Sequence, residues 1–397
     1  MNEELLYWFA LTQLKNWGIF KKNQLIVKII TEQKITLSQF FNLKSDNYIE
    51  NFNLDKSDII DLDRVKKELP NLSFLLEDLL AQGYELITIN SSKYSKTLKE
   101  NLKLKYSPPL LFIKGNSQLL QEDSIAIVGS RDADEISLKF TDKIAEIASK
   151  EFKVIISGFA KGVDKQALDS AIKYNGHSII VLPQGIMTFN SGFNKYYKEI
   201  QRGDVLVLST FHPKAPWSVQ LAMSRNPIIY GLAKGIYVAQ SSDKGGTWSG
   251  VIDGINKGRK IFVRLPYTNE KNANNILIQK GAIPVDQGGN LIENKFNQLE
   301  FNDVPIINDD NKKEISTFDL SVNAQIEPKA SIDDRIRDLL SYSELTSKEI
   351  IKTLNLDWKI QKMTSHLNKI PNIIKLTGKP SKFYLKGDKR INNLFGE

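Results

Sequence analysis

Hydrophobic positions follow two different periods along the chain. Up to about residue 80, Leu, Ile and Phe recur at three- and four-residue spacings, as in Glu3–Leu14 and Gln24–Glu32, which predicts short packed helices. From Leu86 onward, short β-branched runs alternate with helical stretches. Six of these runs are expected to be buried parallel strands: Ser124–Val128, Val154–Ile156, Ser178–Leu182, Asp204–Leu208, Gly235–Ala239 and Lys260–Leu265.

The segments between the expected strands carry a helical stripe. Ile136, Phe140, Ile144 and Ile147 recur at helical spacing between the first two strands. Alternation of strand and helix over roughly 160 residues predicts an α/β fold with a doubly wound parallel sheet. Such sheets bind ligands at the carboxyl ends of their strands, so the residues after each strand are the candidates for a site.

Two groups of residues after these strands suit an anion. Gly129 permits close backbone approach, Ser130 offers a hydroxyl and Arg131 can bind a phosphate with two nitrogens. Segment 157–164, SGFAKGVD, precedes a helix expected to begin near Lys165. Its glycines and the helix N-terminus form an anion cradle, in which Asp164 can cap the helix and Lys161 can meet a phosphate; a tight turn with a solvated lysine is the structural alternative.

Two later strand ends add to the same edge. Segment 224–229, SRNPII, is expected to open an apolar helix with Arg225 and Asn226 at its polar entrance. Segment 243–250, DKGGTWSG, is expected to form a glycine-rich turn from strand to helix. Several strand ends therefore offer Gly, Ser, Thr or a cation, and this convergence is more specific than any one loop.

Composition excludes several kinds of chemistry. The chain of 397 residues has no cysteine, which excludes thiol catalysis, Cys-ligated zinc, iron–sulfur clusters and disulfides. Its three histidines, His177, His212 and His366, are far apart in sequence, and the phosphate-binding pattern GxxxxGK[ST] is absent. We therefore expect no metal and no cofactor. The first fifteen residues lack the features of a signal peptide and no long uncharged apolar run occurs, so we expect a cytoplasmic protein without membrane contact.

The net charge of +8 is concentrated at one end of the chain. Between Lys348 and Arg390, eleven Lys and Arg face three acidic residues, so the remainder is close to neutral. Residues 301–330 are acidic, lack a sustained apolar period and are expected to form a linker. The predicted organisation is a helical N-terminal domain (1–80), a sheet domain (84–300), this linker and a basic C-terminal domain (331–390).

The C-terminal domain has the plan of a winged helix, with three expected helices followed by two apolar runs: Ser331–Tyr342, Ser347–Leu354, Lys359–Ile370, Ile373–Leu376 and Phe383–Leu385. One face of the third helix carries Lys359, Lys362, His366 and Lys369, and Lys382 extends this face on the wing. These cations suit a nucleic-acid backbone. A solvated lysine face on a protein-binding domain is the alternative.

The ordered motifs of the chain resemble those of the DNA-processing protein A (DprA/Smf) family. The resemblance covers about residues 84–286 and rests on YSPPLLFIKGN (106–116), AIVGSR (126–131), SGFAKGVDKQAL (157–168), VLPQGI (181–186), SRNPIIYGLAKG (224–235), GGTWSG (245–250) and GRKIFV (258–263). It implies an extended Rossmann-like domain that binds single-stranded DNA in a positively charged pocket. It also implies a non-enzymatic, homodimeric mediator that helps load a RecA-type recombinase during natural transformation.

Site residues carry over from this resemblance position by position. Arg131, Lys161 and Arg225 are then the cations expected to face phosphate. The residues expected to shape the pocket are Gly129, Ser130, Ser157, Gly158, Gly162, Asn226, Gly246 and Thr247. Phe159 and Trp248 are expected to stack on bases.

The chain departs from the family pattern at several of its motifs. Leu168 replaces a histidine, Pro227 replaces an arginine, Gln240 replaces a glutamate and Gly245 begins an altered glycine loop. Two alternatives therefore stay open. One is a nucleotide-binding enzyme or sensor of the LOG class, whose PGGxGT motif resembles segment 245–247 but requires a nearby glutamate. The other is a protein-interaction scaffold that has lost DNA binding.

Overall fold

The computed structural model divides the chain into two compact units, Met1–Leu299 and Glu300–Glu397. In the first unit it describes residues 3–15 and 17–292. In the second it describes residues 332, 333, 336, 340, 345–354, 356, 358, 360–368, 370, 373–375 and 381–385. The predicted linker, 301–330, lies outside the described residues, and the domain boundaries stay a prediction.

The first eighty residues are helical, as their apolar spacing predicts. They form α1 (Glu3–Thr12), α2 (Ile19–Val27), a π-helical turn (Lys28–Glu32), α3 (Leu37–Phe41), α4 (Ser45–Phe52) and α5 (Lys56–Ala81). Thr36 is the N-cap of α3 and Asp55 is the N-cap of α5. Each forms a capping box, which satisfies backbone N–H groups in the first turn of its helix. The buried rings of Phe9, Phe40 and Tyr48 form the centre of this helical group.

A nine-stranded sheet follows in the same unit. Its strands are β1 (Glu85–Thr88), β2 (Leu110–Lys114), β3 (Ser124–Val128), β4 (Val154–Ser157), β5 (Ser178–Val181), β6 (Val205–Ser209), β7 (Gly235–Val238), β8 (Ile261–Arg264) and β9 (Ile283–Val285). Their order is β1-β2-β6-β5-β4-β3-β7-β8-β9. Strands β3 to β9 pair in parallel, whereas β1 with β2 and β2 with β6 are antiparallel.

The predicted strands are confirmed as β3 to β8, within one or two residues at each end. The sheet is therefore the doubly wound Rossmann-like α/β fold that the sequence predicts. Strands β1, β2 and β9 were missed, and the first two are not parallel. Strand β9 has only three residues and contains Pro284, which an edge strand tolerates because one of its sides needs no partner.

Helices cover the sheet and connect its strands. They are α6 (Lys96–Tyr106), α7 (Glu135–Lys150), α8 (Val163–Lys173), α9 (Asn190–Lys195), α10 (Tyr197–Arg202), α11 (Val219–Leu232), α12 (Gly245–Asn256) and α13 (Asn274–Gln279), with 3-10 turns at Ser117–Leu120 and Ile186–Thr188. From β3 the chain moves outward through β4, β5 and β6, then returns to place β7 on the other side of β3. The switch point, where ligands bind in such sheets, thus lies between β3 and β7.

A buried ion pair fixes the strand ends close to the switch point. Arg264 at the end of β8 is fully buried, and its guanidinium binds the carboxylate of Glu270. The Nε group also donates to the Ala239 carbonyl at 2.9 Å, and Nη2 donates to Ser137 Oγ at 3.0 Å. One side chain therefore ties β8 to the end of β7 and to the first turn of α7. Hydrogen bonding to Arg264 lowers the pKa of Glu270 below its ordinary value.

The second unit contains a small antiparallel sheet and two described helices. Its elements are β10 (Leu345–Thr346), α14 (Ser347–Thr353), α15 (Ile360–Leu367), β11 (Ile373–Lys375) and β12 (Lys382–Leu385), with strand order β10-β12-β11. Met363 and Leu367 of α15 are buried with Ile350 and Phe383. These elements follow the predicted order, and the winged-helix assignment stays a prediction because much of the first helix lies outside the described residues. No helix in the described ranges is long and apolar enough to cross a membrane.

Replacement of Glu270 by Ala should leave the Arg264 guanidinium buried without its counter-charge. We expect E270A to lower the free energy of unfolding by about 3–5 kcal/mol, measured by urea denaturation. The matched control is Glu135→Ala, because Glu135 pairs with Lys139 at 2.8 Å on the exposed surface of α7, and the loss of an exposed ion pair should change stability little. Equal, small effects of the two variants would contradict this role of Glu270.

The lowered pKa of Glu270 adds a test of sign. A depressed carboxyl pKa contributes stability that is present above the pKa of the unfolded chain and is lost as the pH falls through the folded value. The difference in stability between wild type and E270A should therefore be full at neutral pH and narrow as the pH falls below 4.5, the ordinary pKa. A difference that does not change between pH 7 and pH 3 would contradict the ion pair.

Candidate nucleic-acid interface

An open cleft of about 390 Å³ lies at the switch point of the sheet. It is bounded by the loops after β3, β4 and β7 and by one side of α11. Six of the residues predicted from sequence line it: Gly129, Ser130, Arg131, Asn226, Gly246 and Thr247, together with Arg225 from below. The fold thus brings together residues that the sequence places on separate strand ends, which is the arrangement that the convergence of motifs predicts.

Hydrogen bonds join the two loops that form the walls of the cleft. Thr247 Oγ1 donates to the Gly129 carbonyl at 2.9 Å, and the Ser130 N–H donates to the Gln240 carbonyl at 2.9 Å. The side-chain oxygen of Gln240 accepts the Asp134 N–H at 2.9 Å. Gln240 stands where the family pattern has a glutamate, and its amide oxygen supplies an acceptor at this position. The replacement is therefore compatible with an ordered cleft.

Two glycines allow the loops after β3 and β4 to touch. A Cβ atom on Gly129 would lie 2.5 Å from the Val163 side chain, so this position has no room for a larger residue. Gly162 has a φ of +83°, and a Cβ there would lie 2.3 Å from the Ser130 carbonyl oxygen. Both glycines act through the backbone: they set how closely α8 and its preceding loop approach the first strand end.

Arg225 lies beneath the cleft and lines it from within, and a contact between Arg225 and a phosphate stays a prediction. Its side chain is only 4% exposed, and Nη1 donates to the Val181 carbonyl at 2.6 Å. The guanidinium packs directly on Gly158, where a Cβ would lie 1.9 Å from Nη1. Arg225 Nε has no hydrogen-bond partner. Burial lowers the pKa of Arg225, and the nearby Asp164 carboxylate opposes that shift.

The position of Arg225 in its helix explains this burial. Helix α11 begins at Val219, capped by Ser218, whose Oγ accepts the Leu221 N–H at 3.1 Å. Arg225 is therefore in the second turn and not at the polar entrance expected from sequence. Asn226 beside it donates to the Gly246 carbonyl at 3.4 Å, which links α11 to the first turn of α12. The sequence predicts that segment 224–229 opens this helix. The helix instead begins at Val219, and Pro227 lies inside it.

Asp164 supports the loop after β4 from within. Its carboxylate accepts the Gly158 N–H at 3.2 Å, while Gly162 occupies the position before α8, so Asp164 is not the N-terminal cap that the sequence suggested. Burial raises the pKa of Asp164, and Arg225 opposes the rise. Asp164 and Arg225 are thus both buried beneath the cleft, close enough for each to influence the pKa of the other.

The exposed cations around the cleft are Arg131, Lys161 and Lys244. Arg131 and Lys244 line the main cleft, and Lys244 is a residue that the sequence interpretation missed although it directly precedes Gly245. Lys161 is 83% exposed in its side chain, with Nζ 3.5 Å from Asp132, and does not line this cleft. Arg131 and Lys161 are both predicted to face phosphate, but of these two only Arg131 lines the main cleft.

A second cavity of about 260 Å³ adjoins the cleft and shares Arg131, Ala160, Ala222 and Arg225 with it. Lys161 and Phe159, both predicted site residues, lie here. Phe159 is half-buried, and its ring packs edge-to-face against Phe189 at a centroid distance of 5.0 Å. Trp248 lines neither cavity and packs half-buried against the core, and its stacking on bases stays a prediction.

Ser157 and the substituted family positions have structural roles. Ser157 is buried and donates to the Ile127 carbonyl at 3.1 Å, so it supports the sheet and lines neither cavity. Leu168 is buried in the hydrophobic core, and Pro227 also lies away from both cavities. Of the divergent positions considered, Gly245 lines the cleft, with a φ of +90°. The departures at Leu168 and Pro227 therefore leave the cleft lining unchanged.

The basic face predicted in the second unit is described only in part. Lys359 and Lys369 lie outside the described residues, and of Lys382 only the backbone in β12 is described. His366 places Nε2 2.7 Å from Asp333, and its ring packs on Trp358. Lys362 holds its Nζ 4.5 Å from the centre of the Trp358 ring. His366 is thus engaged by a carboxylate, and its predicted role in DNA binding stays a prediction.

Carboxylates offer little support for the enzymatic alternative. The first carboxylate after the glycine loop, Asp253, pairs with Lys257 at 2.7 Å and does not line the cleft. Within the part of the chain that the structure describes, no group of three or more His, Cys, Asp or Glu residues is placed to hold a metal ion. The carboxylates that line the cleft are those of Asp132 and the buried Asp164.

Replacement of Gly158 by Ala tests the packing beneath the cleft. A Cβ at this position would overlap the Arg225 guanidinium, so we expect G158A to cost about 1–3 kcal/mol of unfolding free energy, measured in urea. The control is Gly18→Ala, because no atom lies within 4 Å of a Cβ there and its cost should be limited to the exchange of the α2 N-cap, about 0.5–1 kcal/mol. If G158A costs much less in an R225M background than in wild type, overlap with the Arg225 guanidinium is the cause of its cost. If G158A is as stable as wild type, the close packing of Arg225 on Gly158 is contradicted.

The comparisons with known proteins agree with the geometry. The family model of DNA recombination-mediator protein A matches residues 85–295. The DNA processing protein DprA of Streptococcus pneumoniae is 33% identical over 190 residues, 47% of this chain and 66% of the relative. DprA of Bacillus subtilis is 28% identical over 200 residues, 50% of this chain and 66% of the relative. The aligned regions thus span just under two thirds of these two relatives.

A solved structure shows the same fold over a larger share of the chain. The X-ray structure of DprA from Streptococcus pneumoniae matches with a TM-score of 0.58 and 25% identity, covering 74% of this chain and 97% of that one. The family model covers more than half of the 397 residues and includes every strand of the sheet that surrounds the cleft. The resemblance predicted from the motifs is thereby confirmed, and the protein belongs to the DNA recombination-mediator protein A family, the DprA/Smf family.

Proposed function

We propose that the protein binds single-stranded DNA in the cleft at the switch point and acts as a recombination mediator. The observation that carries the proposal is the cleft itself, where exposed Arg131 and Lys244 flank glycine-lined strand ends. Two helices, α8 and α12, begin at this edge of the sheet. Helix N-termini and guanidinium groups both stabilise phosphate, so the cleft suits a phosphodiester backbone.

The size of the cleft favours an unpaired strand. A cavity of about 390 Å³ has room for a nucleotide, whereas the bases of a duplex are stacked and paired inside the helix and must be extruded at a cost of a few kcal/mol to enter such a site. Unpaired strands present their bases without this cost. The cleft should therefore select single-stranded over duplex DNA.

The role in recombination follows from family membership together with this binding site. We propose that a strand held in the cleft is protected and then transferred to a RecA-type recombinase, as the resemblance implies, during natural transformation or recombination. The protein would act as a cytoplasmic homodimer and by binding, without catalysis. Stimulation of strand exchange by a purified recombinase, together with the mass in solution by light scattering, tests the partner and the dimer separately.

Removal of the cations that line the cleft should weaken DNA binding and its salt dependence together. We expect Arg131→Ala and Lys244→Ala each to reduce the slope of log affinity against log salt by about 0.7–1, because each phosphate contact releases a counterion. Fluorescence anisotropy with a labelled oligonucleotide at two salt concentrations measures this. Lys139→Ala is the matched control, since Lys139 is an exposed lysine on α7 that lies outside the cleft. The absence of any salt-sensitive binding by wild type would refute the proposal.

A second set of variants tests whether the cleft is the main site. Combined replacement of Lys359, Lys362 and Lys369 by Ala should lower affinity for the same oligonucleotide less than combined replacement of Arg131 and Lys244. The lysines of the second unit, by this proposal, supply only sequence-independent attraction. Equal losses from the two sets would show that the cleft has no special role and that binding follows overall charge.

A further inference from the structure

Trp217 is an exposed aromatic side chain without an aromatic partner. It lies in the loop between β6 and α11 with 51% of its surface exposed, and it lines the second cavity. Across the described residues no other ring pairs with it, whereas Phe159 and Phe189 in the same cavity pack against each other. A large indole left open beside a cavity is a platform on which a planar group can stack.

The opposite wall of this cavity is strained. Phe159 has a φ of +60°, in the left-handed region that side chains other than glycine rarely adopt. Edge-to-face contacts with Phe189 at 5.0 Å and Tyr196 at 5.7 Å hold its ring in this position. Strain of this kind persists where the surrounding structure enforces it, and it is concentrated at binding sites. The cavity is therefore a built feature of the loop after β4.

The volume and cations of the second cavity suit one part of a larger ligand. At about 260 Å³ it falls below the range of about 300–1,000 Å³ typical of sites that enclose a whole small molecule. Arg131 lines both this cavity and the main cleft, and its side chain is exposed. Consecutive nucleotides are joined by a phosphate, so a cation common to two adjacent cavities is placed to bind the phosphate between them.

We propose that the second cavity binds a base stacked on Trp217, so that the site holds two consecutive nucleotides of one strand with their bridging phosphate at Arg131. This inference rests on the proposed binding of single-stranded DNA and adds its register. Stacking does not depend on a particular base, since each base offers a flat face. Trp217 would thus let the site distinguish strands with accessible bases from polyanions that lack them.

The test compares two oligonucleotides of equal length and charge, an oligothymidine and a strand in which every base is replaced by an abasic site. Trp217→Ala should weaken binding of the oligothymidine by about 5- to 150-fold, the range for loss of one base–aromatic stack. It should change binding of the abasic strand by less than about twofold. Trp217→Phe should retain most of the affinity because it keeps an aromatic face. Phe74→Ala, the loss of another exposed ring at 72% exposure that lines neither cavity, is the matched control.

The outcomes separate this inference from the function on which it rests. If Trp217→Ala weakens both strands equally, or neither, while wild type binds the oligothymidine, the stacking site is overturned and the DNA-binding function stands. If wild type binds neither strand, both fail. Thermal melting of each variant followed by circular dichroism checks that folding is intact. If Trp217→Ala proves unstable, Trp217→Phe takes its place in the binding comparison. Tryptophan fluorescence of the wild type is then measured as well, and quenching that Trp217→Phe does not show is assigned to Trp217. Oligothymidine should produce this quenching and the abasic strand should not.

Discussion

The packing of the Arg225 guanidinium on Gly158 sets the shape of the binding site. The contact is so close that no side chain fits at position 158, and the same guanidinium donates to the Val181 carbonyl at the end of β5. One side chain from α11 therefore fixes the ends of β4 and β5 relative to each other. Because Arg225 lines both cavities from within, it also forms the boundary between them. Two adjacent compartments follow from this contact.

A buried cation at this position has a cost, and the surrounding sequence compensates for it. Asp164 lies close enough to oppose the loss of charge on Arg225, and its carboxylate also holds the Gly158 N–H. The loop after β4 lies close to the Ser130 carbonyl oxygen at Gly162. Gly162 has a positive φ, and any side chain at this position would collide with that oxygen. The glycines of the motif SGFAKGVD thus follow from the packing of charged groups beneath the cleft.

The sequence predicted the central sheet well and the orientation of side chains poorly. Strands β3 to β8 are continuous apolar runs because they are buried on both faces, and this pattern is visible without a structure. Strand β9 is too short to show a period. The strand ends identify which residues meet at the edge of the sheet. Whether Arg225 points into solvent or into the protein depends on where α11 begins, and the sequence does not show this start because Pro227 lies inside the helix. The sequence did not single out Lys244 and Trp217 as lining residues. Lys244 directly precedes the motif GGTWSG, and Trp217 precedes the motif SRNPIIYGLAKG.

The distribution of charge separates attraction from recognition. Residues 348–390 carry a net charge of +8, while the cleft has only a few exposed cations, and Asp132 lies close to one of them, Lys161. Long-range attraction of a polyanion scales with net charge and is screened by salt, and residues 1–299, with a net charge of +7, contribute to it as well as residues 348–390. In the proposed function the cleft would act at contact distance through backbone N–H groups and Arg131, which are sensitive to the geometry of the strand. A shaped cleft with few exposed cations would therefore select unpaired bases, because long-range attraction is spread over the chain and does not have to be built into the site.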